Sequence, residues 1–342
     1  MDHVLLARYP FLKASAEFAD SNDADIESLI VSPSYAEARK RGMQRVLDAI
    51  EHHKVSEVSL TSDYACLMEV LSYPYARILV SSVDDRFLTR RYALAEATRM
   101  YDLLKGDPAQ SVPVSKELEV RSSIDGSSRI SMPFADYLRY SCLLKAAEWK
   151  LINTELKDGN VLMERDRFGR VLQTALQERI ESELPLKVPD GIRKAVRQDV
   201  DRVTLRLGEM KNRLSPTGGE GMNPEYLPPC IRAILANAQN GVNLPHSARF
   251  ALVTFLHALG TDYDGIIALF SQSPDFDEAK SRYQIKHIIG ELSGTDGYTP
   301  PECSTMKTNG LCFEPDGICN GERMNHPLTY YRRRSGTARK AP

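Results

Sequence analysis

The sequence predicts a mainly α protein of two domains, with a small α/β subdomain set into the N-terminal one. Three observations predict it. The chain is 342 residues long, enough for two hydrophobic cores. Apolar residues recur at helical spacing over most of its length. One stretch, Ser215 to Pro224, is rich in proline and glycine and has no periodicity. That stretch places an N-terminal domain at 1–212, a linker at 213–227, a C-terminal domain at 228–331 and a basic tail at 332–342.

Taken in order, Ser34 to His53 opens on a capping-box pattern (Ser34, Glu37) and continues with Met43, Val46, Leu47 and Ile50 on one face. A second helix is expected from Arg90 to Lys105, with Gly106 as the residue that ends it. The turn Asp125–Gly126, flanked by alternating residues, and the run Asn160 to Met163 after Asp158–Gly159 predict strands. They place a strand-containing subdomain at about 112–188, with its own helices near 134–148 and 166–183. Ile192, Val196, Val200, Val203, Leu207 and Met210 keep one helical stripe for five turns.

Composition excludes several classes. Hydrophobic residues make up 42% and charged residues 26%, the proportions of an ordinary soluble protein. The net charge of −2 gives no global attraction to nucleic acid, so any such binding has to come from a local patch. No segment reads as a signal peptide or a membrane helix, so the expectation is a reducing compartment, without membrane association. There is no P-loop, no dinucleotide-binding glycine fingerprint and no H-E-x-x-H. Asp-x-Asp occurs at Asp23/Asp25, Asp199/Asp201, Asp262/Asp264 and Asp275/Asp277. The second pair falls within a helix and the others at expected helix starts, where capping explains them, so none is assigned to catalysis.

Four of the six cysteines lie in the last third: Cys230, Cys303, Cys312 and Cys319, spaced C-x72-C-x8-C-x6-C. In a reducing compartment they point to metal more than to disulfides. Four thiolates suit either a tetrahedral zinc or an iron–sulfur cluster, and the absence of C-x-x-C knuckles favours the wider group. Cys66 and Cys142 fall on apolar helical faces and read as core residues.

Two helices lie between Cys230 and Cys303. On the first, after Pro245, Ala248, Leu252, Phe255 and Leu259 form the core stripe and Gly260 ends it. His246, Arg249 and His257 lie opposite with Phe250. On the second, from about Phe276 to Leu292, the stripe is Ile285, Ile288, Ile289 and Leu292. Tyr283, Lys286 and His287 face the other way. Cations grouped with a ring suit phosphates and bases.

The chain also resembles the large subunit of archaeal and eukaryotic DNA primase. The residues that carry the resemblance are Pro228 to Arg232, His246 with Arg249 and Phe250, Tyr283 to His287, and Tyr298 with Pro300 and Cys303. Weaker matches occur at Tyr92 to Glu96 and Asp136 to Leu151, and the length is similar to that of the archaeal form. The resemblance implies a non-catalytic subunit in a heterodimer with a small catalytic subunit that polymerises ribonucleotides. It implies a 4Fe–4S cluster on Cys230, Cys303, Cys312 and Cys319, in a helical C-terminal domain built around that cluster. That domain is expected to bind the single-stranded template and the 5′-triphosphate of the RNA primer, through Arg232, His246, Arg249, Tyr283, Lys286 and His287. The N-terminal domain is expected to dock the catalytic subunit, and the complex to work in the cytoplasm at the nucleoid. The sequence departs from the eukaryotic pattern at Leu252, where that pattern has a tyrosine. Two other readings of the same residues are an autonomous iron–sulfur enzyme of DNA repair, similar to photolyases, and a zinc-stabilised scaffold.

Overall fold

A computed structural model describes residues 2–125, 129–142, 144, 147–214, 223–240, 242–271, 278–292 and 297–338. The chain divides into two compact units, Met1–Met210 and Lys211–Pro342. Residues 215–222 of the linker stretch, Gly126 of the expected turn, Asp275 with Asp277, and the end of the basic tail lie outside the described residues.

Unit 1 opens with three short helices, α1 (His3–Arg8), α2 (Lys13–Asp20) and α3 (Ile26–Val31). Asp25 caps α3 by accepting the Ser28 N–H. Three long helices follow: α4 (Ala36–His52), α5 (Asp63–Val83) and α6 (Arg86–Gly106). The capping box expected at Ser34 does not form. Pro33 opens a 3-10 turn over Pro33–Tyr35, whose cap is Ser32, and α4 then starts at Ala36 with no side-chain cap. Met43, Val46 and Ile50 are buried and Leu47 is half-buried. Burying each large apolar side chain contributes about 1.5–3 kcal/mol. Gly42 lets α4 approach α5, since a Cβ there would sit 2.7 Å from the Ser72 carbonyl oxygen. α6 begins ahead of the expected Arg90, because Asp85 accepts the Leu88 N–H at 3.0 Å and caps it. Gly106 is its last helical residue.

Charged groups fill the space among these helices. Arg45 is 0% exposed and grips Glu96 through two hydrogen bonds of 2.9 Å and Glu69 through one of 2.5 Å. Arg41 and Arg99 reach the same Glu69 carboxylate at 2.7 and 3.0 Å. Burial penalises that carboxylate, yet Arg45, Arg41 and Arg99 outweigh the penalty and hold Glu69 below the usual carboxylate range.

After α7 (Ser111–Glu117) the chain forms a sheet from β1 (Ser123–Ile124), β2 (Ile130–Pro133), β3 (Glu155–Lys157) and β4 (Asn160–Met163). Its order is β1-β2-β4-β3 and every pairing is antiparallel. Ile130 pairs with Met163 and Met132 with Val161, so these four buried residues share one face. α8 (Phe134–Ser141) packs on β2, β4 and α9 (Arg165–Glu183). The helix expected to reach residue 148 stops at Ser141, and Cys142 is exposed instead of in the core. The following chain is pinned by Tyr137, whose hydroxyl donates to the Trp149 carbonyl at 3.0 Å. The long stripe from Ile192 to Met210 is two helices, α10 (Asp190–Ala195) and α11 (Arg197–Leu214), broken at Val196 with φ −90° and ψ 5°.

Unit 2 contains α12 (Pro229–Gln239), α13 (His246–Ala258), α14 (Tyr263–Phe270), α15 (Glu278–Ile288), α16 (Cys303–Thr308) and α17 (Pro327–Ala338). Its core gathers Ile231 and Ile234 of α12, Leu252 and Phe255 of α13, Ile266 and Phe270 of α14, Ile285 and Ile288 of α15, Met306 and Tyr331. Gly260 follows α13 at φ +84°, the left-handed position expected of it. Leu292 is 50% exposed and off the apolar stripe, because α15 ends at Ile288 and Gly290 turns the chain at φ +86°. The mainly α class and the small sheet are therefore as the sequence predicts.

Candidate metal and nucleic-acid site

Cys230 is the second residue of α12, after Pro228 at the cap and Pro229 at the first helical position. Proline has no N–H to leave unpaired there and its fixed φ suits the helix start. Cys303 is the first residue of α16, and its N–H donates to the Asn325 carbonyl at 2.8 Å. α16 closes at Gly310, φ +66°, where the Leu311 N–H returns to the Met306 carbonyl at 2.8 Å, and Cys312 comes next. Cys319 lies in a turn governed by Asp316, whose Oδ1 accepts the N–H groups of Ile318 and Cys319 at 3.0 and 2.9 Å. All four cysteines are half-buried.

Their electrostatics connect them. Burial pushes the Cys230 thiol up to about 12, opposed by the Ile231 N–H and reinforced by Cys303, Cys312 and Cys319. Burial also raises Cys303, with Cys312 adding to it and Lys307 opposing. Thiols that raise one another resist ionising together unless a cationic group neutralises them, and that donor set fits a thiolate-bound metal group. Among the described residues no group of three or more His, Cys, Asp or Glu is placed to hold a metal ion.

The nucleic-acid candidates fall on α13, α15 and their flanks. α13 packs against α12, α14 and α15. His246, Arg249 and Phe250 line a shallow cleft whose other wall is Ser281, Gln284 and Ile285 of α15. His246 is exposed, whereas Arg249 is half-buried and donates to the Leu244 carbonyl and the Asn243 side chain at 3.0 and 2.8 Å. Its guanidinium is thus oriented by the loop before its own helix. Tyr283 is 64% exposed and His287 is exposed beside it. Lys286 is turned toward Glu291 at 3.3 Å and over the Tyr263 ring at 5.2 Å. Arg232 does not line the cleft; it donates to the Leu227 carbonyl at 3.0 Å and braces the start of α12.

Sequence reasoning assigned no contact role to Tyr298 and Gln284. Tyr298 links the two helices, with its ring 5.7 Å from both Phe250 and His287. The signal was present in Gly297. Its φ is +75° and a Cβ there would sit 2.6 Å from the Ile289 carbonyl carbon, so only glycine lets Tyr298 fold back onto α15. The Tyr298 N–H then donates to the Ile288 carbonyl at 2.9 Å. Of the described Asp-x-Asp pairs, Asp25 caps α3, Asp262 caps α14 by accepting the Gly265 N–H, and Asp199 and Asp201 sit within α11.

The molecule is thus of a mainly helical, two-unit class whose second unit carries four half-buried thiols and a pair of basic, aromatic helices. Residues 220–318 match the family of the eukaryotic and archaeal DNA primase large subunit, C-terminal domain. Over 341 residues the chain is 39% identical to the DNA primase large subunit PriL of Methanococcoides burtonii, covering 98% of this chain and 93% of the relative. It is 39% identical over 331 residues to PriL of Methanosarcina acetivorans, covering 96% and 88%. Identity to PriL of Halobacterium salinarum is 33% over 341 residues, covering 95% and 92%. The chain belongs to the DNA primase large-subunit family.

Proposed function

We propose that this chain is the non-catalytic large subunit of a primase, supporting primer synthesis in DNA replication. In this reading Cys230, Cys303, Cys312 and Cys319 hold a 4Fe–4S cluster. α13 and α15 present His246, Arg249, Tyr283 and His287 to the template strand and the primer 5′ end, and the polymerising chemistry belongs to a small catalytic subunit docked on unit 1. No helix among the described residues is long and apolar enough to cross a membrane.

One observation supports this reading above the rest. Cys230 opens the helix that packs on α13, and Cys303 follows the Tyr298 segment that packs on α13 and α15, so these two cysteines bracket in sequence the chain that forms the basic, aromatic surface. A bound cluster would fold that surface as it binds, because holding four thiolates fixes both ends of the intervening chain. The cluster's own chemistry would be one-electron transfer. The residues of this chain supply grip and position. Exposed cations meet phosphates without reading sequence, and the Tyr283 ring offers a face for a base. Initiation needs the template and two nucleotides held together before any duplex exists, and a second binding unit on the same chain raises their local concentration.

The test is a reconstituted heterodimer carrying Tyr283→Ala, assayed separately for dinucleotide formation and for extension of a preformed primer. Loss of initiation with extension retained is expected. Equal loss in both steps contradicts the assignment.

A further inference from the structure

We propose that α17 with the residues just before it, 325–334, is a strap that positions the cysteine-bearing segments, and that the Tyr330–Asp316 pair is its principal tie. The proposal rests on the metal-site reading above. The strap itself lies beyond residues 220–318, the range matched to the family's C-terminal domain.

The strap touches the approach to three of the four cysteines. At Cys303, the Asn325 carbonyl accepts the cysteine's own N–H at 2.8 Å. The next residue, His326, donates from Nε2 to the Pro300 carbonyl at 3.0 Å while Nδ1 accepts the Leu328 N–H at 3.1 Å. Both ring nitrogens are therefore committed, and the imidazole fixes the segment leading into Cys303. At Cys319, the Tyr330 hydroxyl donates to Asp316 Oδ2 at 2.6 Å, and the other oxygen of that carboxylate holds the Cys319 N–H. At Cys230, Tyr331 accepts the Asn223 N–H through its hydroxyl at 2.8 Å and lies edge-on to the Tyr226 ring at 6.1 Å. Arg334 adds a hydrogen bond of 3.1 Å to the Glu225 carbonyl. α17 thus reaches the chain ahead of Cys230 and Cys319, and the two residues just before it reach the chain at Cys303.

Burial says the contact is built. Tyr330 is 1% exposed, and a buried phenol requires a partner for its hydroxyl, which Asp316 supplies. The Asp316 carboxylate in turn receives two backbone N–H groups and one O–H, so the turn before Cys319 is fixed in one conformation. Loops that present metal ligands lose affinity when such outer partners are removed, by about 10–100-fold. Asp316 also places a negative charge beside Cys319, which lowers the reduction potential of any redox group bound there.

The test uses the full chain, purified without oxygen, and its Tyr330→Phe, Asp316→Asn and His326→Gln variants, with exposed Arg332→Ala as the control. Three quantities are read: the rate at which a chelator strips metal, the midpoint potential of the bound group, and the far-ultraviolet circular dichroism. Tyr330→Phe is expected to lose metal about 10–100-fold faster than the wild type with its helix content kept. Asp316→Asn is expected to move the potential upward, a change that loosened packing alone does not produce. If Tyr330→Phe and Asp316→Asn do not fold, His326→Gln carries the stripping measurement. Stripping rates equal to those of the wild type, or equal to those of Arg332→Ala, overturn the strap. A wild-type chain that binds zinc defeats the cluster reading alone, and the zinc-stripping rates then decide the strap. A wild-type chain that binds no metal defeats both.

Discussion

Unit 1 and unit 2 both bury polar chemistry, and they balance it in opposite ways. In unit 1 a network of buried charges comes as partners: Arg45 with Glu69 and Glu96, and Arg99 with Glu69 again. The network is closed by residues of α4, α5 and α6, so the chain itself compensates the desolvation. In unit 2 burial and neighbouring cysteines raise the Cys230 and Cys303 thiols, and Lys307 opposes the rise at Cys303. Their segments are tied chiefly through backbone groups, at Asn325, Pro300 and Asp316. Unit 1 compensates these buried charges with its own residues, whereas in the proposed reading the thiols of unit 2 would be neutralised by a bound metal group.

That contrast can be broken from the unit 2 side first, where the largest effect is expected. Cys303→Ser should abolish metal binding and remove the native fold of unit 2 while unit 1 stays folded. Limited proteolysis with mass spectrometry checks it, and protection of both units in the variant would contradict it. From the unit 1 side, Arg45→Ala takes the ion pair from the buried Glu96 and one of three cations from Glu69, and should cost about 3–5 kcal/mol, measured by denaturant unfolding. Metal content should not change in that variant.

Acid gives a smaller effect with a defined sign. The folded-state pKa of Glu69 lies below its ordinary value, so its contribution is present above the unfolded pKa of about 4.3 and is lost as pH falls through the folded pKa. Unit 1 should therefore lose stability below about pH 4, and Glu69→Gln should flatten that dependence in thermal melts. Smaller again, Tyr283→Ala should weaken single-stranded DNA binding by about 1–3 kcal/mol and leave both units equally stable, because the ring is already in solvent. Fluorescence anisotropy at fixed salt reads the first, and calorimetry the second.

Much of this contrast was legible in the sequence. Helical stripes located α4, α13 and α15, and the glycine after α13 marked its end, because periodicity and left-handed residues are local signals. The spacing of the cysteines and the grouping of Tyr283, Lys286 and His287 were local in the same sense. What escaped depended on partners far away in the chain. Arg45 looks like one more exposed charge until Glu96, 51 residues away, closes on it. The Tyr263 ring under Lys286, 23 residues earlier in the chain, gave no signal in the sequence either. Tyr330 carried no role beside the expected basic tail, and Asp316 shows it to be an interior tie. Helix ends failed for a nearer reason: Pro33 moved a cap by two residues, from Ser34 to Ser32, and Asp85 claimed one that the periodicity had placed later.

The central claim is that unit 2 is organised around a cluster held by four thiolates, and metal analysis of the anaerobically purified chain tests it most directly. The account predicts a brown protein with about four irons per chain, falling to none in Cys303→Ser. A colourless chain loaded with zinc, or one with no metal and a fully folded unit 2, would contradict it.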